Sequence, residues 1–435
     1  MLINNSLAGA PGYASQLATA FMILGKYILL LIFPHPLVAD YSYNQIPVTG
    51  WSNPMVLLST IVILFLTFIA LKGLKNKTVY SFSIIYFFVT ISIVSNILFL
   101  IEATMGERFL YMPSLGFCFA LGYLLISIFS SKEKENTALF NFFIPKYSAI
   151  VLTILILFYS VKTYSRNLDW KDNFTLLEAD IKNAGNSARE QYAFGSALFV
   201  ERAMTENNEQ LKQNYLDRSL HHLQRAVAIW NSYADAHYML GKVYIEKRLP
   251  QNAVQSFQLA AANKNFSNAA FYQDYALAYG NLGDASNAIE YLEKALTFEP
   301  GSAETYSNLG LYYTDLKQFD KAVNSLQTAI NLKPDFAKAH YNLGLAYAMS
   351  GQFQSAVIPF QKAIELNTEY TDAYNNLGNT FSALGEYREA LKAYEKVLQL
   401  QPNHSKALQN IGITYKILGD EEKSAFYMNK AASLN

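Results

Sequence analysis

The chain has 435 residues, with 34 Lys and Arg balanced by 34 Asp and Glu for a formal net charge of zero, and 51% of its residues are hydrophobic. Zero net charge without a basic patch argues against a nucleic-acid partner, and a single cysteine, Cys118, excludes a disulfide framework and a cysteine-built metal site. The mean conceals two unlike halves, because the charged residues crowd into the second half while the first 165 residues are rich in Leu, Ile, Phe and Tyr.

The first dozen residues are small or polar and lack the basic start of a cleavable signal peptide. An apolar run then covers residues 14–33, with Lys26 in its middle and Pro34 at its end. Charge at bilayer depth is costly, so two placements stay open. The run either spans, with the N-terminus inside, or forms a re-entrant or surface helix at the outer interface, with the N-terminus outside. Residues 54–71, 79–101, 112–130 and 147–164 are four further apolar runs, each close to the ~20 residues that a helix needs to cross a bilayer. Lys72, Lys75 and Lys77 follow the first of these runs, and Lys132 and Lys134 follow the third. The positive-inside rule puts both basic loops in the cytoplasm. Residues 40–51 and 102–111, and everything after Tyr164, then face outward. Residues 1–165 form a membrane domain of four or five helices, and 166–187 a juxtamembrane linker that opens on the polar and aromatic collar YSRNLDWKD from Tyr164.

From Ala188 onward the chain repeats itself. Leu309, Leu343, Leu377 and Ile411 recur every 34 residues, each followed by Gly310, Gly344, Gly378 or Gly412. Tyr313, Tyr347, Phe381 and Tyr415 follow in phase, then the small Ala322, Ala356, Ala390 and Ser424, then the larger Leu326, Phe360, Tyr394 and Met428. This is the signature of the tetratricopeptide repeat, a helix, a turn and a second helix whose apolar face is buried only by stacking on its neighbours. The same frame gives earlier repeats through Tyr279 and Ala288, and through Gly241 and Ala253. A degenerate first unit carries Gly195 and Leu223, with extra residues around Thr205–Gln213 expected as a lengthened turn. The predicted fold is all-α: polytopic membrane helices followed by a solenoid of about seven repeats over residues 188–435.

Few residues carry chemistry in a recognisable pattern. The six histidines are scattered, with His237 and His340 in an aromatic packing slot of the repeat, and no cluster has metal-ligand spacing. No phosphate-cradling glycine loop occurs, and no metal or cofactor is implied. On the outward side, Asp40, Tyr41 and Tyr43 share a loop, and Glu107, Arg108 and Tyr111 share another. An arginine at headgroup depth can hold two oxygens of a lipid phosphate in its planar fork. It can equally pair with Glu102 or Glu107 and simply end a helix.

Three stretches, PHPLVADYSYNQIP from Pro34, GERFLYMPSLGFC from Gly106 and RNLDWKD from Arg166, together with the repeats behind them, resemble the transmembrane and tetratricopeptide-repeat family. Its members look like C-type membrane glycosyltransferases that move a sugar from a polyprenyl-phosphate carrier to hydroxyl groups of exported proteins, with O-mannosylation as the eukaryotic activity. The resemblance implies the C-terminal part of such an enzyme. Members carry further membrane helices, with acidic catalytic residues in their first outward loop, ahead of the point that Met1 matches, so no catalytic residue is assigned in this chain. It implies lipid-phosphate contacts for Arg108, Glu107 and Tyr111, and as partners the membrane, a polyprenyl-phosphate sugar lipid and an acceptor protein held by extracytoplasmic repeats. The membrane would be the inner membrane in a bacterium and the endoplasmic reticulum in a eukaryote. A non-enzymatic, membrane-anchored scaffold that organises envelope proteins is the alternative.

One further in-phase row bears on the acceptor. Asn308, Asn342, Asn376 and Asn410 stand two residues before each repeat glycine, with Asp274 in the same slot one repeat earlier. This slot falls on the opposite side from the Leu and Tyr stripe. Each amide offers a donor and an acceptor, so a row of them can bind the main chain of an extended peptide whatever its side chains. The arrangement resembles the asparagine ladder of the cytosolic O-GlcNAc transferase. Asparagine capping or solvating the helix, copied by duplication, is the plainer explanation.

Overall fold

The computed structural model describes residues 7, 10–38, 45–97, 105–129, 146–263 and 266–434. Among these the regular structure is helical throughout, as the hydrophobic periods predict, and no strand occurs. The chain forms two compact units, Met1–Val243 and Tyr244–Asn435.

The first unit opens with α1 (Tyr13–Ile32), α2 (Pro54–Leu74), α3 (Val79–Ser92), α4 (Tyr111–Phe129) and α5 (Lys146–Asp169). Four of these, α1, α2, α4 with the 3-10 turn before it, and α5, are long and apolar enough to cross a bilayer. The exception corrects an expectation. Within the described part of the run, to residue 97, the helix ends at Ser92, and its 14 residues rise about 21 Å where the apolar core of a bilayer is about 30 Å. Local chemistry ends the helix. The Ser95 hydroxyl donates to the Ser92 carbonyl (2.9 Å), and Asn96 takes a left-handed φ of 59°, so short polar side chains compete with the helical ladder.

α1 runs parallel to α2. Phe21 packs on Trp51 with centroids 5.6 Å apart, Gly25 lies against Ser59, and Leu31 and Ile32 share a cavity wall with Leu66. Both helices therefore start from the same end of the bundle. Beyond Ile32 the chain doubles back, since the Tyr27 hydroxyl accepts from Gly106 N–H (3.1 Å) and the Val38 carbonyl accepts from Glu107 N–H (3.4 Å). Helix α1 is itself long and apolar enough to cross a bilayer, and both placements of 14–33 are compatible with this packing. α2 to α5 alternate in direction. Ser81 Oγ donates to the Ala70 carbonyl (2.6 Å), Tyr80 stacks edge-on against Tyr123, and Ser148 Oγ donates to the Leu125 carbonyl (2.9 Å). Lys72, Lys75 and Lys77 thus sit at one end of the bundle, and residues 49–51, 106–111 and 164–172 at the other. Lys132 and Lys134 lie outside the described residues.

After α5 come α6 (Asn173–Asp180), α7 (Ala188–Ala197), α8 (Glu209–Ile229) and α9 (Ala234–Glu246), the last of which carries the boundary between the units. Gly195 of α7 admits Leu223 of α8. The expected lengthened turn at 205–213 is divided differently. α7 continues through a π turn, Leu198–Arg202, and a 3-10 turn to Thr205, and Asn208 then caps α8, accepting from Leu211 N–H (3.1 Å). Residues 209–213 are already helix, because an Asn cap followed by Glu209 satisfies and neutralises a helix start.

The second unit stacks α10 (Pro250–Ala261), α11 (Ala269–Asn281), α12 (Ala285–Phe298), α13 (Ala303–Asp315), α14 (Phe319–Leu332), α15 (Ala337–Met349), α16 (Phe353–Leu366), α17 (Thr371–Ala383), α18 (Tyr387–Leu400), α19 (Ser405–Ile417) and α20 (Glu421–Ala432). The glycine and the large residue that recur in the sequence meet here. Gly310 faces Leu326, Gly378 faces Tyr394, and a methyl group added to Gly344 would come within 2.7 Å of Phe360. The Leu326, Phe360 and Tyr394 side chains are buried as a result. A second series governs the turn between paired helices. Gly283, Gly351, Gly385 and Gly419 have φ of 79° to 83°, and Lys317 occupies the same slot at φ 58°.

Lys317 therefore carries left-handed strain that its in-phase counterparts avoid. Relief of about 1–2 kcal/mol, less the extra unfolded-state entropy of glycine of about 0.4–1 kcal/mol, leaves a net gain for Lys317→Gly of about 0.5–1 kcal/mol. Denaturant unfolding of the full chain in detergent, followed by far-ultraviolet circular dichroism, should show the midpoint rising. Gly351→Ala should lower it.

Candidate functional site

The sequence motifs around Gly106 and Arg166 come together at one end of the helical bundle. Arg166, near the end of α5, is a three-way hub. Its Nε donates to Glu107 Oε1 (3.0 Å), its Nη1 to Asp169 Oδ2 (3.1 Å), and its Nη2 lies 2.8 Å from Asp180 Oδ1. The side chains of Arg166, Glu107 and Asp180 are only 11%, 13% and 1% exposed. Asp180 ends α6, where the helix dipole disfavours a carboxylate, so the guanidinium compensates both burial and dipole. Trp170 lies beside the same guanidinium, 5.9 Å from its centre. A planar fork with five donors meets the three carboxylates through three separate nitrogens, whereas a lysine would have to serve them all from one point.

A second tie joins the loop after α1 to the linker. Gln45 Nε2 donates to the Asn183 carbonyl (2.8 Å), and Gln45 Oε1 accepts from Asn186 N–H (3.2 Å). Asp40, Tyr41 and Tyr43 of the same stretch lie outside the described residues. Of the three residues predicted to meet a lipid phosphate, Glu107 has its charge engaged by Arg166 rather than by Arg108. Arg108 is exposed, with its guanidinium 5.2 Å from the Phe109 ring, and Tyr111 is 83% exposed at the start of α4. Sequence reasoning missed Arg166 and Asp180 as partners of Glu107. The usable signal was an acidic residue at a helix C-terminus, which needs a cation nearby.

His222, His237 and His340 bond neighbouring protein groups. His237 and His340, in the same repeat slot, bond the carbonyls of Asn231 (2.7 Å) and Pro334 (2.9 Å) six residues earlier. Burial, with His221, Arg218 and Arg225 close by, pushes His222 down to about 4. Its neutral ring can then donate from Nδ1 to Gln191 Oε1 (2.7 Å). Among the described residues no group of His, Cys, Asp and Glu is arranged to hold a metal ion.

The asparagine row lies along the seam between successive first helices, and its members differ. Asn342 is 3% exposed and donates to the Ser307 carbonyl (3.3 Å) and hydroxyl (3.2 Å) of the preceding first helix. Its amide serves packing between repeats. Asn376 Nδ2 donates to the Tyr341 hydroxyl (3.0 Å), and Asn410 Nδ2 donates to Asn379 Oδ1 (2.9 Å). Asn308 Oδ1 accepts from Lys338 Nζ (3.0 Å). Asn308, Asn376, Asn410 and Asp274 are partly exposed.

Comparison with known proteins agrees with the repeats. Tetratricopeptide-repeat profiles match residues 208–270, 269–302, 312–351, 337–370, 371–404 and 393–425. The chain is 25% identical over 270 residues to the protein O-mannosyl-transferase Tmtc3 of Drosophila melanogaster, covering 60% of this chain and 26% of that protein. Human TMTC3 gives 25% over 265 residues, 59% of this chain and 26% of that protein. The protein O-mannosyl-transferase F38B6.6 of Caenorhabditis elegans gives 29% over 170 residues, 39% and 23%. The chain thus spans about a quarter of the length of these relatives. Among solved structures, MamA is 34% identical with a TM-score of 0.34, over 37% of this chain and 93% of that one. YrrB, described as a tetratricopeptide-repeat protein with an unusual peptide-binding site, is 22% identical with a TM-score of 0.38, over 45% and 95%. The chain is a tetratricopeptide-repeat protein with candidate membrane helices, similar to the Tmtc protein O-mannosyl-transferases.

Arg166→Ala would leave Glu107 and Asp180 buried without their cation, a change that costs about 3–5 kcal/mol. The expected result is proteolytic cleavage near residue 172 and a lower unfolding midpoint, read by tryptophan fluorescence in detergent. Arg166→Lys should fall between the two.

Proposed function

We propose that this chain is the acceptor-holding, membrane-anchored part of a protein glycosyltransferase that takes its sugar from a polyprenyl phosphate, with the repeats on the extracytoplasmic side. The supporting observation is the Glu107–Arg166–Asp180 lock. It joins two of the motifs on which the family resemblance rests and ties both to α6, at the head of the repeats. A sequence that spends a buried ion-pair hub on this junction is holding the first repeat firmly to the end of the bundle. Such firmness suits an acceptor presented to a membrane-bound donor. The similarity to Tmtc protein O-mannosyl-transferases supports glycosyl transfer as the chemistry, and O-mannosylation as its nearest example.

In this reading Arg108 meets the carrier phosphate. With Glu107 engaged by Arg166, the exposed guanidinium of Arg108 is available at the mouth of α4 for a bidentate phosphate contact. Tyr111, one turn on, supplies a hydroxyl at the same depth. The asparagine row takes the acceptor's main chain, with Asn308, Asn376, Asn410 and Asp274 on the ligand side and Asn342 holding the seam.

Orientation is tested with reporter fusions. Lys72 in the last turn of α2, with Lys75 and Lys77 just after it, biases that loop inward, so a reporter after Asn76 should read cytoplasm and one after Lys171 should read the outside. A cytoplasmic signal after Lys171 would remove the glycosyltransferase reading.

The phosphate contact is tested with a photoactivatable polyprenyl phosphate in nanodiscs that contain the full chain. Arg108→Ala should lower the cross-linking yield about tenfold, a loss of about 1.4 kcal/mol. Arg108→Lys should keep charge but lose the fork, giving an intermediate yield. Equal yields for all three proteins would return Arg108 to the role of a helix end.

A further inference from the structure

Three residues after each member of the asparagine row stands another in-phase series: Leu277, Leu311, Leu345, Asn379 and Ile413, again 34 residues apart. Residues at i and i+3 share a helix face. Leu277 is 43% exposed and Ile413 48% exposed, and Leu311 and Leu345 are half-buried. Asn379 shows where the series runs. Its Oδ1 accepts from the Tyr394 hydroxyl of α18 (2.8 Å) and from Asn410 of the next first helix (2.9 Å), and its Nδ2 reaches Asn376 Oδ1 (3.5 Å). An aliphatic row therefore lies beside the amide row on the surface formed by α11, α13, α15, α17 and α19, with one polar interruption. Along its edge stand Glu304, Lys338, Asp372 and Lys406, one per repeat and all exposed. Their signs alternate and sum to zero, and Asp274 in the amide row adds a single negative charge.

We infer that this face takes an internal, uncharged segment of polypeptide in the polyproline II conformation, with an apolar side chain at every third residue. The inference rests on the reading that the repeats hold an acceptor, and it names the class of segment held. Period decides between extended conformations. Helices in contact lie about 8–10 Å apart. A polyproline II chain returns to the same side every three residues, about 9.3 Å, and so stays in register with one leucine per repeat. A β-strand returns every two residues, about 6.6 Å, and loses register within one repeat. Charge decides between ligands. A terminal carboxylate or an acidic peptide needs a cluster of cations, and the alternating edge gives neither sign an advantage. The Leu, Leu, Leu, Asn, Ile order then asks for apolar side chains at four of five contact points. The matching segment is about 13 residues long at three residues per repeat.

The test uses the full chain in nanodiscs and fluorescence anisotropy with three neutral peptides of equal length. One has leucine at every third position, one has the same number of leucines at every second position, and one is a polar polyproline II former. The every-third peptide is expected to bind about tenfold more tightly than the other two. Leu277→Gln combined with Ile413→Gln, both exposed positions, should reduce that preference several-fold while helicity stays constant. Equal affinity for all three peptides, a preference for the every-second peptide, or an unchanged preference in the double variant would each overturn the inference while leaving peptide holding intact. Failure of every peptide to bind would overturn both the inference and the reading it rests on.

Discussion

The fit of a large side chain over a glycine on the neighbouring helix is the contact on which the repeats depend. Gly195 under Leu223, Gly310 under Leu326, Gly344 under Phe360 and Gly378 under Tyr394 are the same interaction repeated. Each lets two helix backbones approach more closely than a Cβ would allow, and each buries an apolar body that a single hairpin could not cover. The consequence reaches the surface. Once the Leu and Gly stripe is fixed against the second helices, the opposite stripe of every first helix faces its neighbouring first helices. The amide and aliphatic rows inherit the spacing of the stack.

Electrostatics does different work at the end of the bundle. Three carboxylates around one guanidinium would be costly in the low-dielectric interior if any were left unpaired. The hub exists because α6 ends on Asp180 and the turn before α4 begins with Glu107, so two separate backbone termini present acids to the same place. Arg166 reconciles them and fixes the path of the chain out of α5. Gln45 adds a neutral tie from the loop that follows α1. The lock is a matter of path rather than of chemistry, and Arg108 keeps its charge on the exposed side.

Much of the architecture was legible in the sequence because it is written in periods. The 34-residue repeat, its packing glycines and its left-handed turns need only local chemistry, and even Lys317 follows its neighbours into the left-handed region. Apolar length alone could not show where α3 stops, because Ser92 and Ser95 bond the backbone there and Asn96 takes a left-handed φ. Nor could length show where the chain runs after α1, which depends on Tyr27 and Val38 meeting residues 106 and 107. The partner of Glu107 was hidden because it lies 59 positions along the chain. For the asparagines, sequence gave the row and its face. It could not show that Asn342 is drawn into the seam by Ser307, because that depends on which small residue the preceding repeat offers.

The central claim is that successive first helices form one continuous surface for an extended segment of another protein. Hydrogen exchange of the full chain in nanodiscs, with and without a neutral peptide carrying leucine at every third position, tests it most directly. The account predicts slowed exchange in α11, α13, α15, α17 and α19, with the second helices α12, α14, α16 and α18 unchanged. Protection confined to the second helices, or none anywhere with the peptide bound, would contradict it.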